Sequence, residues 1–226
     1  MVHYIMYNMP KIPKHPRRSN FTSSLNTALD MSSKALRVAS GVAKLVNVEK
    51  KFNNVAASAQ PMSTTSTFVA LSGIPQGDKQ TERQGNSIKA YNNHLLANIT
   101  MNPSATSSTV RVILFSDRNS NGTVPSISDL LQTAGGASAM VAQLNPDYAG
   151  IRFQVYMDRN INFSINGDRV KTIEKFMKYS KHIKYIGTTA ADADQNGNSL
   201  WLCYLSTEST NVPSITYSNT LRYLDN

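Results

Sequence analysis

From residue 63 to its end, the chain alternates short apolar-rich stretches with polar turn segments. The apolar stretches are rich in Val, Ile, Thr, Phe and Tyr, and several place apolar side chains at every second position, which is typical of β-strands. This pattern predicts strands at 63–71, 87–101, 109–116, 151–158, 170–179, 198–206 and 214–223. The stretch 109–116 (TVRVILFS) is the clearest of them, because it is dense in β-branched residues and has an apolar centre.

Turn sequences separate these predicted strands. Asn-Gly pairs occur at 121–122, 166–167 and 196–197, and both residue types tolerate the positive φ of a tight turn. Residues 126–132 predict one short helix, with Ser126 or Ser128 as its cap. Seven to nine short strands joined by long loops predict an all-β fold, a single jelly-roll sandwich of about eight antiparallel strands.

The first 52 residues have a different pattern. Prolines at 10, 13 and 16 favour an extended segment over residues 1–20. Residues 23–52 carry leucines and valines at roughly helical spacing with basic residues between them, which predicts one or two amphipathic helices. Such a helix can lie on a membrane, a neighbouring subunit, nucleic acid or its own domain. We therefore divide the chain into a basic, partly helical N-terminal arm (1–52), a linker (53–63) and a jelly-roll domain (64–226).

Charge is concentrated in this arm. The chain of 226 residues has a formal net charge of +9, and residues 1–52 contain nine of its 23 Lys and Arg but only two of its 14 Asp and Glu. An excess of positive charge on one segment favours an acidic partner, and nucleic acid and an anionic membrane are the two obvious ones. The candidate nucleic-acid-binding residues are Lys11, Lys14, Arg17, Arg18, Lys34, Arg37, Lys44, Lys50, Lys51, Lys171, Lys175 and Lys178.

The last three candidates belong to a basic run in the domain, residues 169–184, in which aromatic residues are interleaved. One interpretation is an inner surface that touches phosphates and stacks bases. The other is an ordinary solvated face. If the run is a strand, its alternation places Lys171 and Lys175 on one face and Lys178 on the other, unless a bulge intervenes.

Several function classes are disfavoured. Cys203 is the only cysteine, so the chain can form neither an internal disulfide nor a zinc site built from cysteines, and its apolar neighbours predict a buried strand residue. No apolar run approaches the ~18 residues that would span a bilayer, so stable membrane insertion is not expected. Residues 1–9 lack a charged segment followed by an apolar one, so a secretory signal is not expected either.

Catalysis and cofactors are not expected. The four histidines have no metal-spaced partners, and no phosphate-cradling glycine loop or nucleophile motif is present. Residues 117–122 and 192–198 imitate the first half of a calcium loop but lack the acid at position twelve. Hairpin loops are the favoured interpretation, and calcium at subunit contacts is the alternative.

Three ordered motifs carry a family resemblance. Residues 74–88 (IPQGDKQTERQGNSI) fit I-x-Q-G followed by R-x-G-x-x-I, residues 110–125 (VRVILFSDRNSNGTVP) end a strand in D-x-x-x-N-G, and residues 47–52 (NVEKKF) resemble V-E-x-K-F. Together they resemble the capsid proteins of circular Rep-encoding single-stranded DNA (CRESS-DNA) viruses. Some of those capsids are similar in turn to the shell proteins of satellite RNA viruses of plants. The arm departs from the pattern because it lacks dense arginine runs.

The resemblance implies a capsid protein that assembles into a small icosahedral shell, most simply T=1 with sixty copies, around a single-stranded DNA genome. It implies a virion component that also occurs inside the host cell during assembly, including the nucleus, with an unknown host receptor. The alternative within the fold is the coat protein of a satellite-type single-stranded RNA virus. Alternatives from other classes are a cellular jelly-roll carbohydrate-binding module and a membrane-active protein acting through residues 23–52.

Overall fold

The computed structural model describes residues 26–38, 49–133 and 136–225. The chain forms two compact units, Met1–Asn47 and Val48–Asn226. In the first unit, residues 26–38 are helical (α1) and exposed. This agrees with a helical arm, but the helix prediction over 23–52 is wrong at its end, because residues 49–52 already belong to a strand.

The described part of the second unit contains nine strands and little helix. The strands are β1 (Glu49–Pro61), β2 (Thr67–Ala70), β3 (Ser87–Thr100), β4 (Ser107–Asp117), β5 (Phe153–Ser164), β6 (Val170–Tyr185), β7 (Gln195–Gly197), β8 (Ser199–Ser206) and β9 (Ser214–Asp225). Helix α2 (Ile127–Leu130) and two 3-10 turns, Gly136–Met140 and Asp192–Asp194, lie between strands. The side chain of Ser126 caps α2 by accepting from the backbone N–H of Asp129 at 3.1 Å, as the sequence predicts.

The strands form two antiparallel sheets. The larger has the order β1-β9-β3-β6-β7, and the smaller has the order β2-β8-β4-β5. The chain repeatedly changes sheet, and the last strands insert between the earliest ones, which is the strand order of a jelly roll. The predicted fold class, a single jelly-roll sandwich, is confirmed.

Strand β8 shows how the core is divided. Leu200, Leu202 and Tyr204 point into the main core between the two sheets. Trp201, Cys203 and Leu205 point the other way, into a second cluster beneath α2 and the segment Gly136–Met140. Because both faces are covered, every residue of β8 is buried. Burial of both faces also explains why the sequence of β8 is a continuous apolar run. Apolar and polar residues alternate along a strand only when one of its faces meets water.

The predicted linker at 53–63 is wrong. Most of it is strand β1, which pairs with β9 through a continuous register from Glu49 to Ala57. Its Asn- and Ala-rich composition resembles a linker, but Val55 and Ala57 are partly buried against the core. Among the described strands, β1 is at the edge of the larger sheet and pairs with β9 alone.

Candidate nucleic-acid interface

One face of the larger sheet points away from the core between the two sheets, and we call it the outer face of this sheet. Basic side chains from four strands lie on it. Its register places Leu224 between Lys50 and Lys89, and it aligns Arg222 with Lys178 through β3. Alternation along each strand turns the exposed residues of this set to the same face. We call this surface the cationic half, and it consists of Lys50, Lys89, Lys178, Lys184 and Arg222.

The cationic half has no compensating acids within the described part of the chain. None of its five members takes part in an ion pair there, whereas other cations of the domain do. Five like charges on one end of a sheet face repel each other unless an anion approaches them. The surface is therefore suited to phosphate groups, which would release counterions on binding.

An exposed aromatic ring lies beside this surface. Phe176 is 64% exposed and lies two residues from Lys178 on β6. Its ring meets the edge of the His94 ring at 6.0 Å, and Nε2 of His94 lies 2.9 Å from Oε1 of Glu174. An exposed ring next to cations is the arrangement by which proteins stack an unpaired base while holding its phosphates.

The sequence-predicted cations are only partly brought together. Lys50 and Lys178 belong to the cationic half. Lys34 and Arg37 lie on α1, where Lys34 pairs with Asp30 at 2.8 Å in an exposed contact worth little stability. The remaining arm candidates lie outside the described residues: Lys11, Lys14, Arg17, Arg18 and Lys44.

Lys51 has a structural position. Its side chain is fully buried, and its Nζ lies 2.9 Å from Oδ2 of Asp225 and 3.3 Å from Oε2 of Glu49. Burial lowers the pKa of the Lys51 ammonium, but the two carboxylates raise it by more, so the pKa lies above its ordinary value. An ammonium held in this way does not reach a phosphate from within the folded subunit, so Lys51 is not part of the nucleic-acid interface.

Lys171 and Lys175 lie apart from Lys178, as alternation along β6 predicts. Both line a cleft of about 710 Å³ between β5 and β6. Lys171 hydrogen-bonds to Asp168, which lowers the pKa of that carboxyl. These two lysines therefore do not extend the cationic half.

Sequence reasoning missed Lys89, Lys184 and Arg222. Lys184 ends the basic run and could have been included on that signal. Lys89 and Arg222 are isolated in sequence, and only the antiparallel register of β3 with β9 and β6 brings them close to Lys178.

One carboxylate in each calcium-like loop is bound by neighbouring groups of the chain. Asp117 is buried and is bound by Arg152 at 2.9 Å, and its Oδ1 accepts from the backbone N–H of Asn119. Asp194 accepts from the hydroxyl and backbone N–H of Thr189, and these bonds lower the pKa of Asp194. Within 26–38, 49–133 and 136–225, no group of three or more His, Cys, Asp or Glu could hold a metal.

The motif at 74–88 is a loop closed by one arginine. Arg83 is fully buried, and its guanidinium donates to the carbonyls of Ile74 (3.0 Å), Gly85 (2.6 Å) and Gly187 while lying 4.1 Å from the ring centre of Tyr185. A planar guanidinium with several donors can satisfy carbonyls that approach from different directions.

The second unit is thus a jelly roll whose larger sheet has a cationic outer face. The family model of the satellite tobacco necrosis virus coat protein matches residues 29–226, and the chain belongs to this family. The coat protein of satellite tobacco necrosis virus 2 is 27% identical over 166 residues, which are 73% of this chain and 80% of that protein. The capsid protein of satellite tobacco necrosis virus 1 is 27% identical over 143 residues, which are 62% and 69%.

Solved structures give a weaker likeness. The structure of desmodium yellow mottle tymovirus covers 79% of this chain and 81% of its own, with 10% identity and a TM-score of 0.39. Broad bean stain virus gives 15% identity and a TM-score of 0.34. These values are too low to support an argument, and the jelly-roll assignment rests on the strand order.

The resemblance to CRESS-DNA virus capsids is wrong in its family. The matched family and both relatives belong to satellite tobacco necrosis virus, an RNA virus. The short motifs pointed to the wrong family because they reflect how loops are held together, as Arg83 holds the loop at 74–88. Such contacts do not distinguish the coat protein of a DNA virus from that of an RNA virus. The coarser conclusion stands: the chain is a viral coat protein, a structural component of the virion.

The carbohydrate-binding alternative loses its basis. The single tryptophan, Trp201, is buried and donates from its indole N–H to Ser199 at 2.7 Å, so it forms no exposed sugar-binding platform. Among the described residues, no helix has the length and apolar character needed to cross a bilayer.

Proposed function

We propose that this protein is the subunit of a small icosahedral shell, most simply of sixty copies, that encloses a single-stranded RNA genome. The observation that supports it most strongly is the family match over residues 29–226. Closed point-group symmetry allows one rigid subunit to build a complete container by repeating the same few contacts. No chemical reaction is required of such a protein.

The cationic half of the larger sheet is the genome-contacting surface in this proposal. Lys50, Lys89, Lys178, Lys184 and Arg222 would neutralise phosphates without reading sequence. Phe176 would stack on an unpaired base beside them. Such binding is tight at low salt and weakens steeply as salt is added, which suits packaging of one long polyanion of any sequence.

The arm is a second genome contact. Residues 1–52 carry nine basic residues, and one of them, Lys51, is engaged in its buried ion pair with Asp225. Deleting residues 1–47 removes the arm but leaves β1 intact, so it tests genome contact by the arm without removing a strand of the fold. We expect the truncated protein to fold and form shells, or at least shell fragments, that no longer protect RNA. Full protection after the deletion would contradict a packaging role for the arm.

Electron microscopy of the purified full-length protein tests shell formation. We expect uniform closed particles. A protein that stays monomeric at high concentration, with and without added RNA, would contradict the proposal. Virion location follows from the coat-protein assignment, whereas the host compartment of assembly and the receptor stay predictions.

A further inference from the structure

The outer face of the larger sheet has a second region that differs from the cationic half. Beyond the row of His94 and Phe176, the outward side chains of β1, β3 and β9 are uncharged, and Glu174 of β6, which pairs with His94, lies at the margin of this region. They line a shallow groove of about 460 Å³, and none of the residues that line it is charged. We call this region the neutral half, and it consists of Ala56, Leu96, Asn98, Thr172, Thr216 and Ser218.

The neutral half combines exposed apolar side chains with a shallow depression, as protein contact surfaces do. Leu96 is 45% exposed, and Val170 at its margin is 51% exposed. In the register, Leu96 lies between Ser218 and Glu174, while Ser218 lies opposite Ala56. Small side chains at 56 and 218 leave a depression beside the exposed leucine, so an incoming chain can approach the sheet closely and bury that leucine.

The neighbouring edge of the sheet extends this region. Strand β1 is an edge strand, and its residues 53–57 (NNVAA) carry no charge. The backbone groups of an edge strand are paired on one side only, and soluble proteins commonly protect such edges with charged side chains. An uncharged edge that continues directly into an uncharged groove favours an approaching protein over solvent.

Charge decides which occupant fits. A polyanion is drawn to the five cations at the other end of the same face and gains nothing from the neutral half. A second copy of this chain carries the same five cations, so two copies meeting through those ends would repel each other. Two copies that meet through the neutral half avoid this repulsion between their cations. A neighbouring subunit and the genome can then bind to different ends of the same sheet face.

We propose that the neutral half is a contact surface for a second copy of this chain in the assembled shell. This inference rests on the proposed function, because it requires that the protein self-assembles. It assigns the two ends of one sheet face to two different partners: the cationic half to RNA, and the neutral half to a neighbouring subunit.

Glutamate substitutions test the surface. Leu96→Glu and Ser218→Glu place a charge in the groove at two residues that oppose each other across β3 and β9. We expect at least a tenfold loss of closed particles by sedimentation, with unchanged circular dichroism, because both positions are exposed. Ser218→Glu should also keep its melting temperature, whereas Leu96→Glu faces Glu174 and should lower it slightly. Asn92→Glu is the matched control on the same strand and face, beside Lys178 in the register, and we expect it to keep forming particles.

A cryo-EM reconstruction of wild-type particles gives the direct answer. We expect atoms of a neighbouring copy within about 4 Å of Leu96 and Ser218. Closed particles in which the neutral half faces solvent or RNA, or in which both glutamate variants assemble normally, would overturn this inference while leaving the proposed function intact. Wild-type protein that forms no particles would overturn both.

Discussion

The ammonium of Lys51 and the carboxylate of Asp225 lie 2.9 Å apart, and both side chains are buried. Lys51 is near the start of the first strand of the jelly roll, and Asp225 ends the last one. The same carboxylate oxygen accepts from the backbone N–H of Gln84 at 2.8 Å. One ion pair therefore joins β1, β9 and the loop that Arg83 closes.

We expect Lys51→Met to destabilise the domain by about 2–3 kcal/mol, because it leaves the buried carboxylate of Asp225 without its cation. Urea unfolding of the 48–226 unit measures this change in the free energy of unfolding. Lys50→Met is the control, since Lys50 is exposed and unpaired among the described residues, and its effect should stay within about 0.5 kcal/mol. Equal effects of the two substitutions would show that the Lys51–Asp225 contact does not stabilise the fold.

The loop at 74–88 should depend on the shape of the Arg83 side chain as well as its charge. We expect Arg83→Lys to cost roughly 2–4 kcal/mol, because a lysine cannot donate to the carbonyls of Ile74, Gly85 and Gly187 together. Thermal unfolding measures the loss. Lys79→Ala, at an exposed position of the same loop, should be nearly neutral. A lysine variant as stable as wild type would mean that charge alone closes the loop.

The fold could be predicted from the sequence further than the site could. Strand alternation and Asn-Gly turns are local, and each strand contributes its own signal. Strand β1 gives a weak signal in the sequence because its buried side chains are Lys51 and Asn53, and its partly buried apolar residues are the small Val55 and Ala57. The contrast between apolar and polar positions that marks a half-buried strand is therefore lacking. Lys51 was assigned to nucleic acid because a basic residue in a basic segment gives no sign of its burial.

The cationic half could not be predicted because it is a property of strand order. Lys89 and Arg222 are 133 positions apart, and they become neighbours only because β9 inserts between β1 and β3. The partners of Arg83 cannot be predicted from the sequence for a related reason. Acidic residues surround it in sequence, whereas the groups that bind it are carbonyls, one of them contributed by distant Gly187.

Alkaline pH should destabilise the domain through its buried tyrosines. Burial raises the pKa of Tyr204 to about 12, and it also raises the pKa values of Tyr179 and Tyr185. A raised folded-state pKa gives stability that is complete below the unfolded pKa near 10 and is lost as pH rises through the folded value. Between pH 10 and 12 we expect a loss of about 1.4 kcal/mol per pH unit for each such tyrosine.

Urea unfolding at pH 8, 10 and 11 measures this loss, and absorbance at 295 nm reports tyrosine ionisation. Tyr204→Phe should lessen the slope above pH 10, because the ionisable hydroxyl is then absent from both states. Stability that is constant from pH 8 to 11 would show that these tyrosines ionise as readily in the folded protein as in the unfolded chain.

Removing single cations from the cationic half should reduce the salt dependence of RNA binding. We expect Lys178→Ala and Arg222→Ala each to lower the slope of log K against log salt by about 0.7. Lys171→Ala should leave it unchanged, because Lys171 lies in the β5–β6 cleft and hydrogen-bonds to Asp168. Fluorescence anisotropy with a labelled single-stranded RNA measures these slopes, and an equal effect of all three variants would contradict the assignment of this surface.

Nuclease protection tests the central claim most directly. Purified particles are treated with RNase and DNase, then opened, and the nucleic acid that survived is extracted and digested again with each enzyme. We expect RNA that resists external RNase and becomes sensitive once the particles are opened. Particles that contain no protected nucleic acid, or only DNA, would contradict the account of this protein as the coat of an RNA genome.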